Sequence, residues 1–507
     1  MTNNAALQKE SKDASHKQRG SHDKNNLKKT LNEGNSNMTT DAINDMQLRL
    51  KSQKAAQIAG GHVSAELRID RLKRSIAILE QNGDALCDAM RRDFGHRSLD
   101  QSKMADIEGA IGPLKNAIKH VKTWMKAEKR GTMFPLNLLG GRSRIEFQPL
   151  GVVGCISPWN FPVQLTFAPL AGILAAGNRT MIKPSEYSPE TSELMKTLIE
   201  SSFDADEMAV FTGGPEVGEA FSGLAFDHLL FTGATSVAKH VMRSAAENLV
   251  PLTLELGGKS PVIVGRSADI KLAARNVMTG NTMNAGQICL APDYVMVPEE
   301  DRDEFVEAAQ AAVNEMYPNL KDNEDYTSII NERHYDRLQN YLTDAEAKGA
   351  EIVAINPANE DFGQQEHHRI PPTLVLNPTD DMLCMQEEIF GPLLPVKTYQ
   401  DVSETIGYVN DHDRPLGLYY FGHDEQETRR VLDQTTSGGV TLNDVIMHIA
   451  QEELPFGGVG PSGMGSYHGI EGFKTFSHAK SVYKQTASIS KLMAKMGPPY
   501  KKKQAAS

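Results

Sequence analysis

The chain has 507 residues, of which 40% are hydrophobic, so it is long enough to bury a large core divided among several domains. Its formal net charge of -12 is the reverse of the balance that dedicated nucleic-acid binders carry, which argues against that class. Its four cysteines form no C-x-x-C pair, which argues against a disulfide scaffold and a cysteine zinc site and favours a reducing compartment.

The N-terminal segment, residues 1–38, is dense in Lys, Asn, Ser, Gln and His and has almost no large apolar residues. Such a segment cannot bury enough surface to offset its ordering entropy, so we predict a disordered polar tail. It lacks the apolar h-region of a signal peptide. The longest apolar stretch, residues 163–177, is too short and too interrupted to span a membrane. We therefore expect a soluble, cytoplasmic protein.

The region from Asp41 to about Glu128 is predicted to be helical, because Leu, Ile and Ala recur at steps of three and four residues. A connection containing Gly and Pro, residues 131–142, leads to a strand at 145–148. Short apolar strands then alternate with helices, which predicts a parallel sheet built from βαβ units. These strands are expected at 152–157, 180–183, 209–212, 228–232 and 252–256.

A second α/β unit is predicted from about residue 256 to 435. Its first elements are strands at 261–264 and 294–297 and helices at 268–279 and 301–316. From residue 438 onward, short strands and Gly-rich loops return.

Two segments match patterns of phosphate-binding loops, but neither is expected to bind phosphate. Residues 458–463 match G-x-G-x-x-G, but no strand-to-helix turn or following βαβ unit surrounds them. Residues 258–260 resemble the end of a P-loop, but Thr253 stands where its first glycine belongs. The common metalloprotease and serine hydrolase signatures, H-E-x-x-H and G-x-S-x-G, are absent from the sequence.

Three side chains are candidates for chemistry. Cys289 closely follows Gly286, which permits a tight backbone path that exposes the thiol; the alternative is an inert buried cysteine. Glu255 ends an apolar strand, where a carboxylate is costly unless its pKa rises, it has a task, or it pairs with a cation. Asn160 stands between two prolines that would hold its amide rigidly, as an oxyanion donor must be, although such an Asn can also be a simple turn residue.

Seven segments, in this order and at appropriate distances, resemble the NAD(P)-dependent aldehyde dehydrogenase superfamily. They are SPWNFP (157–162), KPSE (183–186), FTG (231–233), LELGGKSP (254–261), GQIC (286–289), EEIFGP (387–392) and LPFGGVGPSGMG (454–465). The resemblance covers about residues 45–485. GQICLAPDY (286–294), VTLNDVIMH (440–448) and the run from SGMGSYHG (462–469) to FSH (476–478) resemble the class 3 branch, and within it the bacterial coniferyl aldehyde dehydrogenases.

The resemblance implies an α/β fold with two open parallel-sheet domains and a small β element for oligomerisation and bridging, in a homodimer. The implied units are an NAD-binding domain (39–128 and 152–255), the oligomerisation element (129–151 and 437–485), a catalytic domain (256–436) and a C-terminal tail (486–507).

The resemblance also implies roles for individual residues. Cys289 matches the nucleophile, Glu255 the general base and Asn160 the side-chain half of the oxyanion hole. The positions that match cofactor-binding residues are Trp159, Lys183, Glu186, Gly233, Glu388 and Phe390. No metal is implied.

Lys183 and Glu186 match the pair that contacts the adenosine ribose. A 2′-phosphate would bring negative charge beside Glu186, so NAD is expected to be preferred over NADP. The sequence departs from the family pattern at Ala234 and Ala238, in the turn expected to face the cofactor phosphates.

The implied reaction is oxidation of an aldehyde to the acid through a thiohemiacetal and a thioester on Cys289. The substrate is expected to be aromatic, such as coniferyl aldehyde, or a medium-chain aliphatic aldehyde; a broad-specificity fatty aldehyde dehydrogenase is the alternative. A CoA-acylating enzyme is disfavoured because such enzymes tend to lack a glutamate at the position of Glu255. A catalytically silent protein is disfavoured because Cys289, Glu255 and Asn160 are all retained.

Overall fold

The computed structural model describes residues 40–498. The predicted tail over 1–38 and the chain beyond residue 498 lie outside the described residues. The helices are α1 (40–60), α2 (Ala65–Asp93), α3 (Leu99–Ser102), α4 (Gly109–Trp124), α5 (Gln164–Ala175), α6 (Pro189–Ser202), α7 (Pro215–Ser222), α8 (Thr235–Ala246), α9 (Ile270–Thr282), α10 (Arg302–Met316), α11 (Glu332–Ala347), α12 (Leu383–Gln386), α13 (Val402–Asn410), α14 (Glu425–Gln434), α15 (Gly469–Thr475) and α16 (Ala487–Met496). A π-helix, Lys103–Glu108, joins α3 to α4.

The strands alternate with these helices through most of the chain. They are β1 (Glu128–Arg130), β2 (Arg142–Pro149), β3 (Val152–Ile156), β4 (Arg179–Lys183), β5 (Met208–Val210), β6 (His228–Thr232), β7 (Leu252–Glu255), β8 (Pro261–Val264), β9 (Tyr294–Pro298), β10 (Glu351–Ala354), β11 (Thr373–Leu376), β12 (Leu393–Tyr399), β13 (Gly417–Phe421), β14 (Gly439–Leu442), β15 (Gly463–Met464) and β16 (Ser477–Lys484).

The first large sheet has the order β15-β7-β6-β3-β4-β5. The five strands from β7 to the edge strand β5 are parallel, as the βαβ pattern predicted, and they are buried because both faces are covered. The edge strand β15 runs antiparallel to β7 and pairs Gly463 with Glu255. A segment from the end of the chain therefore completes a sheet built by residues 152–255.

The second large sheet has the order β10-β11-β12-β9-β8-β13-β14 and is parallel except for the edge strand β10. A third, antiparallel sheet has the order β1-β2-β16, in which β16 pairs with β2 along its whole length. These three sheets confirm the predicted α/β class, with two open and mainly parallel sheets and a small β element.

The candidate residues lie near strand ends in both large sheets. Asn160, Gly233 and Glu255 lie at or just beyond the carboxyl ends of β3, β6 and β7, where ligands bind in open α/β sheets. Cys289 and Glu388 precede β9 and β12 of the second sheet. No helix between residues 40 and 498 is both long and apolar enough to cross a membrane.

Candidate active site

A cavity of about 830 Å³ lies where the two large sheets meet. Seven of the nine candidate residues line it: Trp159, Asn160, Gly233, Glu255, Cys289, Glu388 and Phe390. The other two, Lys183 and Glu186, lie outside the lining and form an ion pair with each other at 3.0 Å. Within residues 40–498, no cluster of His, Cys, Asp and Glu side chains is arranged to hold a metal ion.

The turn before Cys289 is held in an unusual backbone conformation. Asn284, Ala285 and Gly286 have φ values of 51°, 51° and 72°, and left-handed non-glycine residues of this kind cluster at functional sites. A Cβ on Gly286 would collide with the carbonyl of Gly391, so this position also requires glycine on steric grounds. The turn leaves Cys289 half-buried, in the lining of the cavity.

Hydrogen bonds from two amide side chains hold this turn in place. Asn284 Nδ2 donates to the carbonyls of Asn160 and Gln287 at 3.1 and 3.2 Å. Gln287 Nε2 donates to the carbonyls of Asn284 and Ser328 at 2.9 and 3.1 Å, and Gln287 Oε1 accepts from Ile330 N at 3.0 Å. Hydrogen bonds therefore tie the turn that carries the Cys289 sulfur both to the segment after β3 and to the segment before α11.

The Cys289 thiol has a raised pKa in this structure. Burial is the main cause, followed by repulsion from the Glu388 and Glu255 carboxylates, while the backbone N–H groups of Cys289 and Leu290 act in the opposite direction. The thiol is consequently neutral near pH 7, and a positive charge placed in the adjoining cavity would favour the thiolate.

Glu255 is buried, and neither of its carboxyl oxygens has a hydrogen-bond partner among residues 40–498. Burial raises its pKa well above the usual range. The possibility that it pairs with a Lys or Arg is wrong for this structure. A carboxyl group held this way, on the same cavity as the thiol, can take up a proton at neutral pH.

Asn160 is fixed through both its backbone and its side chain. Its carbonyl accepts from Arg97 Nη1 at 2.7 Å, and its Nδ2 donates to the carbonyl of Gln287 at 3.0 Å. Because an amide nitrogen carries two hydrogens, one N–H remains available toward the cavity.

Arg97 and Asp106 form a fully buried ion pair at 2.7 Å that sequence analysis missed. Asp106 Oδ1 also accepts from the backbone N–H groups of Val163 and Gln164, at the start of α5. The pair thus holds both ends of the turn that carries Asn160. Neither residue lies in a recognised motif, so the sequence held no signal for them.

A second set of contacts holds the loop that bears Glu388 and Phe390. Lys259 Nζ bonds to Asp293 and donates to the carbonyl of Glu387 at 3.0 Å. Arg337 donates to the carbonyls of Ile389 and Phe390 at 2.7 and 3.3 Å. Lys259 and Asp293 lie inside segments that resemble the family, so the sequence marked both positions but did not indicate that they hold this loop.

Glu388 is oriented toward Gly257, where any Cβ would collide with its carboxylate. Burial, and next the repulsion from Asp293, raises the pKa of Glu388 to about 8, and its Oε1 has no hydrogen-bond partner. The ring of Phe390 packs edge-on against Trp159 at 5.4 Å between centroids. An unpaired buried acceptor beside an aromatic wall suits a ligand that presents hydroxyl groups.

The N-terminus of α8 faces the same cavity. Gly233 N donates to the carbonyl of Glu255 at 3.0 Å, and a Cβ on Gly233 would come within 2.7 Å of the Phe231 ring. Ala234, at the N-cap, supplies no side-chain cap, so the first N–H groups of α8 are left for an anion. Ala238 is buried in the core and does not line the cavity.

Residues 32–482 match the aldehyde dehydrogenase family model. Over 437 residues, the chain is 56% identical to the coniferyl aldehyde dehydrogenase of Pseudomonas sp. (strain HR199), covering 86% of this chain and 90% of that protein. Its fold is similar to that of Staphylococcus aureus AldH, solved in a substrate-bound state (TM-score 0.82, 38% identity, 87% of this chain and 94% of that chain). It is also similar to P. syringae indole-3-acetaldehyde dehydrogenase, solved with NAD+ and IAA (TM-score 0.79, 26% identity, 88% and 89% of the two chains).

Proposed function

The chain belongs to the aldehyde dehydrogenase family and is an NAD(P)-dependent oxidoreductase that converts an aldehyde to the carboxylic acid; from that premise we propose that its substrate is an aromatic aldehyde of the coniferyl aldehyde type. The observation that supports the mechanism is the pair of groups on one cavity, the thiol of the half-buried Cys289 and an unpartnered carboxyl group at Glu255. The substrate class is supported by the identity with a relative of that name.

The cavity residues fit a dinucleotide. The uncapped N-terminus of α8 suits its phosphates, and the unpaired Glu388 carboxyl group beside Gly257 suits ribose hydroxyls, with Trp159 and Phe390 on the wall. We assign Lys183 and Glu186 to contacts with the adenosine ribose of the cofactor. We expect NAD to be preferred over NADP. When bound, NAD(P)+ supplies the hydride acceptor and a positive ring charge.

The first step is assigned to Cys289. The Cys289 thiol gives up its proton to water in the cavity, the resulting thiolate attacks the aldehyde carbon, and the carbonyl oxygen becomes the oxyanion of a thiohemiacetal. The free N–H of Asn160 and the backbone N–H of Cys289 stabilise that charge; losing one such donor typically costs about 3–4 kcal/mol. Departure of hydride from the same carbon leaves a thioester on the sulfur.

The second step is assigned to Glu255. Its carboxylate takes a proton from water, and the hydroxide attacks the thioester carbon while the thiolate leaves. The products are the carboxylic acid and free Cys289. Because Glu255 has no cation beside it, its basicity is not lowered by an ion pair.

A spectroscopic assay tests the proposal. We expect NADH to accumulate when the enzyme is mixed with NAD+ and coniferyl aldehyde, at the same rate with or without coenzyme A. A rate that depends on coenzyme A would identify an acylating enzyme. Turnover of hexanal and decanal, with none of coniferyl aldehyde, would replace the aromatic substrate with an aliphatic one.

The units of the chain are assigned as follows. We propose that residues 39–128 and 152–255 bind the cofactor, that 256–436 carry the nucleophile, and that 129–151 and 437–485 join two subunits in a homodimer. The edge strand β16 supports this assembly, since most of its side chains are exposed and one of its edges is free to accept another strand. Light scattering would contradict the assembly if it gave the mass of a monomer.

The four cysteines support a cytoplasmic location. All of them are free thiols in the structure, which suits a reducing compartment. Fractionation of cells that express the protein would contradict this location if the enzyme appeared in the periplasm or medium.

A further inference from the structure

Cys289 is one of several partly buried side chains that pack against the hydrophobic core of the first large sheet. The partly buried side chains of Ile111, Met283, Ile446 and Ile449 pack against the same core, and the charges of Cys289 and Glu255 act on Tyr467 within it. None of these four lines the cavity assigned to the dinucleotide. This apolar side of Cys289 suits the carbon skeleton of the aldehyde that the proposed function requires.

Polar side chains with unused hydrogen-bonding capacity lie in the same core region. The rings of His448, Tyr467 and His468 surround Phe456, with centroids 6.0, 6.0 and 5.1 Å from it. All three are buried, yet within the described part of the chain His448 Nε2, the Tyr467 hydroxyl and both ring nitrogens of His468 have no hydrogen-bond partner. Such buried groups are normally satisfied, so this set points to a ligand or water.

Glu452 lies close both to this polar group and to the part of α4 that bears Ile111. Its Oε1 lies 3.7 Å from the position that a Cβ on Gly112 would take, immediately after Ile111 in the chain. Its Oε2 is buried without a hydrogen-bond partner, and its charge acts on Tyr467. A carboxyl group in this state is costly unless something donates to it.

The neighbouring imidazoles do not neutralise that carboxyl group. Burial lowers the pKa of His448 and of His468 to about 4, so both are uncharged at pH 7. Burial alone raises the pKa of Glu452 to about 7. In either protonation state, a carboxyl oxygen of Glu452 can accept a hydrogen bond.

We propose that Glu452 is a specificity-determining residue, whose carboxyl group accepts a hydrogen bond from a phenolic hydroxyl on the aromatic ring of the aldehyde substrate. The ring then occupies the apolar side of the site, and Tyr467 and His448 complete its polar end. An analogue without the hydroxyl leaves the buried carboxyl group unpaired, and sites built around a substrate hydroxyl discriminate strongly for that reason. This inference rests on the proposed function and names its substrate class as phenolic aldehydes.

The test compares coniferyl aldehyde with its 4-O-methyl ether, 3,4-dimethoxycinnamaldehyde. We expect the wild-type enzyme to favour the phenol at least tenfold in kcat/KM, about 1.4 kcal/mol. In Glu452→Leu that ratio should fall toward one, mainly through KM for the phenol, and in Glu452→Gln it should be intermediate because the amide oxygen still accepts. Glu453→Gln, at the exposed neighbouring glutamate, is the matched control and should keep the wild-type ratio.

Three outcomes would overturn the inference. A wild-type enzyme that uses both aldehydes equally well shows that no group reads the hydroxyl, while the proposed function stands. An equal loss on both aldehydes in the Glu452 variants assigns this residue a structural role. A wild-type enzyme that oxidises neither aldehyde, but does oxidise decanal, removes the proposed substrate class and this inference together. If Glu452→Leu does not fold, the ratio in Glu452→Gln decides.

Discussion

At the scale of single residues, the most informative group is the buried carboxyl group of Glu255. In Glu255→Gln the thioester should still form but should not be hydrolysed, because the amide cannot take a proton from water. We expect at most one NADH per active site in a rapid-mixing experiment, followed by turnover at least about a hundredfold slower than wild type.

Cys289→Ala is the matched control for that experiment. It should bind NAD+ but release no NADH, because no sulfur is present to form the thiohemiacetal. Steady turnover of Glu255→Gln near the wild-type rate would show that another base activates the water.

The choice between NAD and NADP is also expected to depend on a single residue, Glu186. Glu186 is about one-third exposed and bonded to Lys183, so a 2′-phosphate would meet both a negative and a positive charge. We expect Glu186→Gln to raise kcat/KM for NADP about fivefold, the scale of about 1 kcal/mol for a partly exposed charge contact. Glu193→Gln, on the following helix, should leave the ratio of NAD to NADP unchanged. An unchanged ratio in Glu186→Gln would mean that this carboxylate does not govern the choice.

At the scale of elements, the junction between the π-helix and α5 depends on one buried ion pair. Asp106→Asn would leave Arg97 buried without its partner charge, which typically costs about 3–5 kcal/mol. Urea unfolding should show this loss, and kcat should fall as well, because Arg97 also holds the carbonyl of Asn160. Asp84→Asn breaks only the exposed pair with Lys103 and should cost about 0.5 kcal/mol or less. A similar small cost for Asp106→Asn would refute this account.

The elements also show what the sequence could and could not predict. Continuous apolar runs bounded by turns located strands such as β3, β6 and β8 to within a residue, because both faces of a parallel sheet are buried. The partner of β15 could not be read from its two residues, since strand pairing depends on distant chain. The Arg97–Asp106 pair was equally invisible, because ion pairing across a fold leaves no local pattern.

At the scale of the whole molecule, buried titratable groups make stability depend on pH. Glu388 has a pKa of about 8 in the fold against an ordinary value of 4.5, so the folded state keeps a proton that the unfolded chain loses. Stability from this group is complete below pH 4.5 and is lost as the pH rises through 8. Half-buried His334 and buried His228, His448 and His468 act in the opposite sense, but only between about pH 4 and 6.5.

Above pH 6.5, the dependence of stability on pH therefore reports the buried carboxyl groups and not the histidines. We expect the thermal midpoint of the enzyme without cofactor to fall between pH 6.5 and 8, and Glu388→Gln to reduce that fall. Scanning calorimetry at constant ionic strength measures both. A midpoint that rises across this window would show that Glu388 is already ionised in the folded protein.

The late strands β15 and β16 have a consequence for how the protein is made. Gly463 pairs with Glu255 and His478 pairs with Gln148, so the first and third sheets are both completed by residues that lie far downstream in the chain. A nascent chain on the ribosome must hold strand β7 with an unpaired edge until β15 has been synthesised, and such exposed edges invite aggregation. Synthesis of β15 and β16, rather than folding of the residues that precede them, should therefore set the time at which this enzyme first reaches its native form.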